Sequence, residues 1–232
     1  MSGEVVIVTG GTGDIGSGVC RALRKAEMQV VVLDLDVSRA EGAALAIACD
    51  VTDPEACREA VDQTARQLGG VHALVNMAQG RTYGPLLTTT DDDMRVVFET
   101  GPIATLRLMN LCHPHMERAG GGAIVNFASA AGTGGNVHGK GAYAAAKEAI
   151  RGLTKQASVE WGPANIRVNA ICPLASHDPN RWPADVVDGV PLGRLGDPET
   201  DIGGVVVFFT SPAGAYVTGR TLFVDGGVGT YR

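Results

Sequence analysis

Nothing in the chain pairs cysteines at a spacing that would hold a metal or build a disulfide framework. The five cysteines (Cys20, Cys49, Cys57, Cys112, Cys172) are scattered and odd in number, with no Cys-x-x-Cys. Reduced thiols in a cytoplasmic protein are therefore expected. Positive charge is also scarce. The 19 Lys and Arg against 25 Asp and Glu leave a net charge of −6, which argues against nucleic acid or an anionic membrane as partner. No apolar run approaches the length of a membrane span. Met1 leads straight into a strand-like stretch, without the basic segment and apolar run of a signal peptide. Repeats, low-complexity segments and linkers are missing too. The one close histidine pair, His113-Pro114-His115, puts its rings on different helix faces with no acidic or cysteine partner nearby, so no metal is expected.

What the chain does contain is an alternation. Apolar, β-rich runs fall at Glu4–Thr9, Gln29–Asp34, Leu45–Asp50, His72–Asn76, Gly122–Ser129, Ile166–Cys172 and Thr221–Val224. Most are continuous hydrophobic runs, as suits strands buried on both faces. Helical patterns lie between them at Ile15–Ala26, Pro54–Leu68, Asp91–Arg118, Ala142–Trp161 and Pro198–Phe209. The pattern predicts an α/β fold with a seven-stranded, doubly wound parallel sheet covered by helices on both faces. A length of 232 residues fits a single domain over residues 1–232 with a full core. The least regular stretch, Ser176–Pro191 with its three prolines and Trp182, is expected to be a short flap. Asp91-Asp92-Asp93 reads as a helix start.

Thr9-Gly10-Gly11-Thr12-Gly13-Asp14-Ile15-Gly16 follows the first strand and opens the first helix. Glycines there let the backbone approach a pyrophosphate, whose charge meets the helix N-terminal amides. The second strand ends at Asp34, placed to accept from ribose hydroxyls and to repel a 2′-phosphate. No Lys or Arg lies in the turn or directly after Asp34, so NAD is favoured over NADP; capping the next turn is an alternative role for Asp34. Asp50 either meets an adenine edge or starts the following helix.

Tyr143-Ala144-Ala145-Ala146-Lys147 puts a phenol and an ammonium one helical turn apart on one face. A free tyrosine titrates near ~10, and a nearby cation lowers that value, giving a group able to move a proton near neutral pH. Ser129 closes the fifth strand run at the sheet end where ligands bind, where its hydroxyl would hold a substrate oxygen against the phenol. His138, His177 and Trp182 are either loop groups that reach a substrate or plain exposed residues.

In order and spacing the chain resembles the short-chain dehydrogenase/reductase family over essentially its whole length. The matching segments are the turn at Thr9–Gly16, Asp34, Asn76-Met77-Ala78-Gln79, Ser129 with Tyr143 and Lys147, Pro191-Leu192-Gly193-Arg194, Tyr216-Val217-Thr218-Gly219 and Val224-Asp225-Gly226-Gly227. The segment from Arg107 to Leu153 looks most like the hydroxysteroid-dehydrogenase branch. The resemblance implies an NAD-dependent oxidoreductase that interconverts a secondary alcohol and a ketone. Tyr143 would be its acid/base, Lys147 would tune Tyr143 and grip the nicotinamide ribose, and Ser129 would orient the substrate oxygen. It also implies cofactor contacts from Gly10, Thr12, Gly13, Asp14, Ile15 and Gly16 in the turn, from Asp34, and from Asp50 and Val51 at the adenine. Asn76, Ala78 and Gln79 would lie near the ribose and nicotinamide, with Pro173, Leu174 and Ser176 close to the nicotinamide. A homotetramer or homodimer packed through the helices of Asp91–Arg118 and Ala142–Trp161 is implied as well.

The chain departs from the family pattern in places. Asp14 stands where single-domain members usually carry glycine, and Met77 and Gln79 replace the usual asparagine and glycine. Gly101 falls where the family has a catalytic asparagine, and Leu174 follows Pro173 in place of glycine. These departures motivate a rival expectation: a binding or scaffold protein that kept the fold and lost efficient turnover.

Overall fold

The computed structural model describes residues 3–133, 139–178 and 181–231. Its strands are β1 (Val5–Thr9), β2 (Gln29–Asp34), β3 (Leu45–Ala48), β4 (Ala73–Asn76), β5 (Gly122–Phe127), β6 (Ile166–Pro173) and β7 (Thr221–Val224). They form one seven-stranded sheet in the order β3-β2-β1-β4-β5-β6-β7, with every neighbouring pair parallel. The main helices are α1 (Asp14–Lys25), α2 (Pro54–Leu68), α3 (Asp91–Phe98), α4 (Ala104–Arg118) and α5 (Gly141–Glu160), followed by the shorter α6 (Ala184–Asp188) and α7 (Gly204–Thr210). This is the doubly wound, three-layer arrangement expected from the alternation.

Successive strand residues face opposite sides, so each strand feeds two cores. Val5, Ile7, Val31 and Leu33 pack with Leu108, Met109 and Ala157 beneath α2, α4 and α5. Val6, Val8, Val30 and Val32 pack with Val19, Leu23 and Phe209 beneath α1 and α7. That two-sided burial is why the strands read as unbroken apolar runs.

Local chemistry sets the element ends. Asp53 caps α2 by accepting from the Glu55 and Ala56 amides, with Pro54 in the first turn and Gly69 left-handed at its end. Thr90 caps α3 and Asp93 returns the bond to Thr90, a capping box within the expected acidic start.

Three expected boundaries are corrected. The helix expected over Asp91–Arg118 is broken by a widened, π-type turn at Glu99–Ile103, where Gly101 leaves helical geometry (φ −100°, ψ −105°) ahead of Pro102. Proline there lacks an amide to bond back along the helix. The last helix begins with a similar π-type stretch, Pro198–Gly203. β5 stops at Phe127, because the Ser129 hydroxyl turns back to accept from the Ala131 amide at 3.1 Å and caps a short 3-10 turn.

Candidate active site

The strand order reverses between β1 and β4, and in such sheets ligands settle beyond the strand ends at that point. A cavity of about 590 Å³ lies there. One end is walled by the glycine turn, Asp34, Asp50 and Val51, and the other by Ser129, Tyr143 and Lys147.

The glycine turn is built by close approach. Gly10 is left-handed at φ +68°. A Cβ on Gly16 would lie 2.1 Å from the Gly10 carbonyl oxygen, so only glycine lets α1 start this close to the strand. Gly13 caps α1 without any side-chain bond, which leaves first-turn amides free for an anion. The Thr9 hydroxyl accepts from the Met77 and Ala78 amides at 2.9 and 3.1 Å and so couples the turn to the loop after β4.

Asp34 is tied to the turn itself. Its Oδ2 accepts from the Thr12 amide and hydroxyl at 3.0 and 2.6 Å, and its Oδ1 from the Leu35 amide at 2.9 Å. A carboxylate offers about four lone-pair sites, so acceptor capacity remains on Oδ1 for a ribose hydroxyl. Asp50 lines the cavity and also accepts from the Thr52 amide and hydroxyl at 2.8 and 2.7 Å, and these bonds hold its carboxyl below the ordinary carboxylate value.

Asp14 takes a role that sequence reasoning did not assign. It is 162 positions from Ser176, whose hydroxyl donates to Asp14 Oδ2 at 2.6 Å, and the His177 amide donates to Oδ1 at 3.0 Å. Arg181 stands 3.8 Å away. Although burial opposes ionisation, these partners hold the Asp14 carboxyl below its usual value. The first turn of α1 therefore anchors the start of the flap at Ser176 and His177, and further along Arg181 and Trp182 line the cavity.

At the reactive end Lys147 is only 3% exposed and donates from Nζ to the Phe127 carbonyl at 2.7 Å. Its Nζ lies 5.8 Å from the Tyr143 ring centre. Burial, with a smaller push from the Arg81 charge, brings Lys147 down to about 7. Burial likewise drives the Tyr143 phenol up, opposed by a Ser129 hydrogen bond and by the Arg81 charge. This corrects the expected tuning. The phenol is raised because burial strips water from both groups and disfavours the charged lysine as well as the phenolate.

Of the expected cofactor positions, Gly10, Thr12, Gly13, Asp14, Ile15, Asp34, Asp50, Val51, Ala78, Gln79 and Pro173 line this cavity. Three expected positions do not. Asn76 is buried under the sheet end and donates to Asn126 Oδ1 at 2.9 Å. Leu174, just past the end of β6, pairs its amide with the Val224 carbonyl while its neighbours Pro173 and Ala175 line the cavity. Ser176 is spent on Asp14. His138 lies outside the described residues, and His177 is engaged with Asp14.

Gln79 fills the space beside Gly101. Its Nε2 lies 2.9 Å from the Gly80 and Val97 carbonyls, and a Cβ on Gly101 would sit 2.5 Å from its Oε1. Among the cavity residues that sequence reasoning missed are Arg39, Arg81, Tyr83, Lys140 and Arg181. For Lys140 a signal existed, since it lies three positions before Tyr143 at the start of the same helix. Among the described residues no cluster of three or more His, Cys, Asp or Glu is arranged for a metal, and no helix is long and apolar enough to cross a membrane.

A family model described as enoyl-(acyl carrier protein) reductase matches residues 10–229. A 12α-hydroxysteroid dehydrogenase of Clostridium sp. is 38% identical, with 99% of this chain and 98% of that protein aligned. A meso-2,3-butanediol dehydrogenase of Serratia marcescens is 30% identical, over 97% and 94%. Among solved structures, a 3-ketoacyl-(acyl-carrier-protein) reductase from Brucella melitensis, crystallised with NADH, superposes with a TM-score of 0.91 at 27% identity, covering 98% of this chain and 99% of that one. Together with the parallel sheet and the glycine turn, these matches mean that the chain belongs to the short-chain dehydrogenase/reductase family of oxidoreductases.

Proposed function

We propose that this protein is an NAD(H)-dependent enzyme that interconverts a secondary alcohol and a ketone. The observation that carries the reading is the single cavity that Ser129, Tyr143 and Lys147 share with the glycine turn and Asp34. A dinucleotide suits these residues. The turn offers uncapped amides and a backbone approach that a side chain on Gly16 would close. When bound, a nicotinamide supplies the hydride chemistry.

The chain's own groups handle the proton. In ketone reduction the Tyr143 hydroxyl donates to the substrate oxygen while Ser129 holds that oxygen in place. In alcohol oxidation Tyr143 must first be a phenolate, and a protonated Lys147 beside it favours that form. Burial holds the phenol above its ordinary value, so oxidation is expected to quicken as pH rises and reduction to be favoured at neutral pH and below.

NADH is expected to bind more tightly than NADPH, because the Asp34 carboxylate would face a 2′-phosphate. Arg39 also lines the cavity, and that cation moderates the preference. Fluorescence titration with each cofactor, followed by a screen of ketones and alcohols, tests the reading; failure to bind either cofactor would overturn it and favour a scaffold role. Asp34→Ala is expected to narrow the NADH-to-NADPH affinity ratio by about tenfold or more, equivalent to about 1.4 kcal/mol. An unchanged ratio in the same titration would remove Asp34 as the selector.

A single catalytic domain acting in the cytoplasm as a homodimer or homotetramer completes the proposal. Val96, Ile103 and Leu106 around the broken helix and Val159 on α5 are exposed apolar residues that a second copy would cover. Light scattering on the eluted protein tests that; a monomer at micromolar concentration would refute it.

A further inference from the structure

The reactive end of the cavity carries two cations that no carboxylate among the described residues pairs with. Arg81, in the loop after β4, and Lys140, at the start of α5, both line it. They are brought together by the backbone: the Gly84 amide donates to the Gly139 carbonyl at 2.8 Å, and Gly84 and Lys140 form an isolated parallel bridge. Among the described residues neither side chain makes an ion pair, whereas Arg21, Arg151, Arg181 and Arg194 all stand opposite a carboxylate. Lys140 is half-buried and Arg81 exposed, and the repulsion between them is relieved where an anion joins them. The repulsion is visible in Lys140, whose pKa is lowered first by burial and then by Arg81. The reach of Arg81 extends further, since its charge acts on Tyr143 and Lys147 as well.

Aromatic rings complete the same wall. Tyr83 stands edge-on to Tyr143 with ring centres 6.3 Å apart. Lys140 Nζ lies 5.8 Å from the Tyr83 ring centre and 5.6 Å from that of Trp182. The indole Nε1 of Trp182 is buried without a hydrogen-bond partner. The opposite end of the cavity carries the carboxylates Asp34 and Asp50 beside Arg39 and the amides of the glycine turn, so side-chain positive charge without a carboxylate partner gathers at the reactive end.

We propose that the substrate is an oxo or hydroxy acid: a molecule whose carbonyl or alcohol meets Tyr143, whose apolar or aromatic body lies against Tyr83 and Trp182, and whose carboxylate is received by Arg81 and Lys140. This rests on the alcohol–ketone reading above and adds the charge of the substrate to it. Arg81 and Lys140 then act as specificity residues.

The test uses matched pairs that differ only in charge: para-acetylbenzoate against its methyl ester, and levulinate against methyl levulinate. The acid member is expected to have a kcat/KM at least about tenfold above its ester, in keeping with a charged hydrogen bond. Arg81→Met and Lys140→Met are each expected to cut that acid-to-ester ratio by about tenfold, mainly through KM, while Arg81→Lys keeps most of it. Added salt is expected to shrink the ratio. A ratio near one in the unaltered protein, or a ratio that neither methionine variant changes, overturns the proposal. So does a variant whose main effect is weaker NADH binding, because the cations would then serve the cofactor.

Quenching of Trp182 fluorescence gives a reading that needs no turnover, with Trp182→Phe as the blank. If neither member of a pair reacts but the acid binds at least tenfold more tightly than the ester, and Arg81→Met removes the difference, the anion site stands and the hydride-transfer reading falls. If acid and ester bind alike, the anion site falls whatever the fate of that reading.

Discussion

Replacing Tyr143 with phenylalanine is expected to lower kcat by at least about a thousandfold, about 4 kcal/mol of barrier, while leaving NADH affinity and melting temperature nearly unchanged. The substitution removes one oxygen. That oxygen shares a hydrogen bond with Ser129, and Lys147 cannot replace it because its Nζ is committed to the Phe127 carbonyl. The pH profile carries as much information as the rate. Burial raises the phenol, so alcohol oxidation by the unaltered protein is expected to quicken as pH rises, and the phenylalanine variant is expected to lose that slope. Residual activity within tenfold of normal, with the slope intact, would assign the proton to another group.

Lys147→Met is expected to abolish activity and yet to stabilise the protein at neutral pH. The lysine is almost wholly buried and held at about 7 in the folded chain, against about 10.4 when unfolded. Between those values the unfolded chain binds more protons than the folded one. Stability is therefore lost as pH falls from the unfolded value towards 7, by about 5 kcal/mol in all, and regained as pH rises again. Methionine escapes this cost. It leaves the Phe127 carbonyl without its donor, which costs about 1–3 kcal/mol. The balance is a gain of about 2–4 kcal/mol at pH 7, or about 5–10 °C in melting temperature for a chain of this size. The gain is expected to vanish as pH rises above ten. A variant that melts lower at pH 7, or by the same margin at every pH, would show that the lysine is not held neutral by burial. A site residue that weakens its own fold at working pH fits the general trade between activity and stability.

Much of this was legible in the chain because burial on both faces of a parallel sheet writes continuous apolar runs. β1 and β2 are stretches such as Val5-Val6-Ile7-Val8 and Val30-Val31-Val32-Leu33, and the structure pairs them in register. The Tyr143 and Lys147 side chains were legible because one helical turn relates them. What escaped was whatever depends on contacts between distant segments. Asp14 reads as a helix-start residue, and nothing local reveals that it anchors Ser176 and His177. Arg81 and Lys140 meet only because Gly84 bonds to Gly139. Leu174 follows the end of β6 with its amide bonded to Val224, and the chain's path beyond the strand, which puts Pro173 and Ala175 at the cavity, is not written locally. The direction of the Tyr143 shift escaped for a different reason: spacing gives the neighbour's charge but not the water that both groups lose.

Gln79 and Gly101 share one volume, and that has a consequence for substitution at either. With the glutamine in place, any side chain at 101 begins 2.5 Å from its Oε1. With a shorter residue at 79, the Val97 and Gly80 carbonyls lose a donor and a hole opens beside the bend in the central helix. Either change alone is penalised, and the two made together conserve volume. The contact is with the far end of a flexible side chain, so a residue at 101 would act by pushing Gln79 off the Gly80 and Val97 carbonyls. The two positions are therefore coupled through the packing beside the turn at Glu99–Ile103, and a double substitution is expected to cost less than the sum of the two singles.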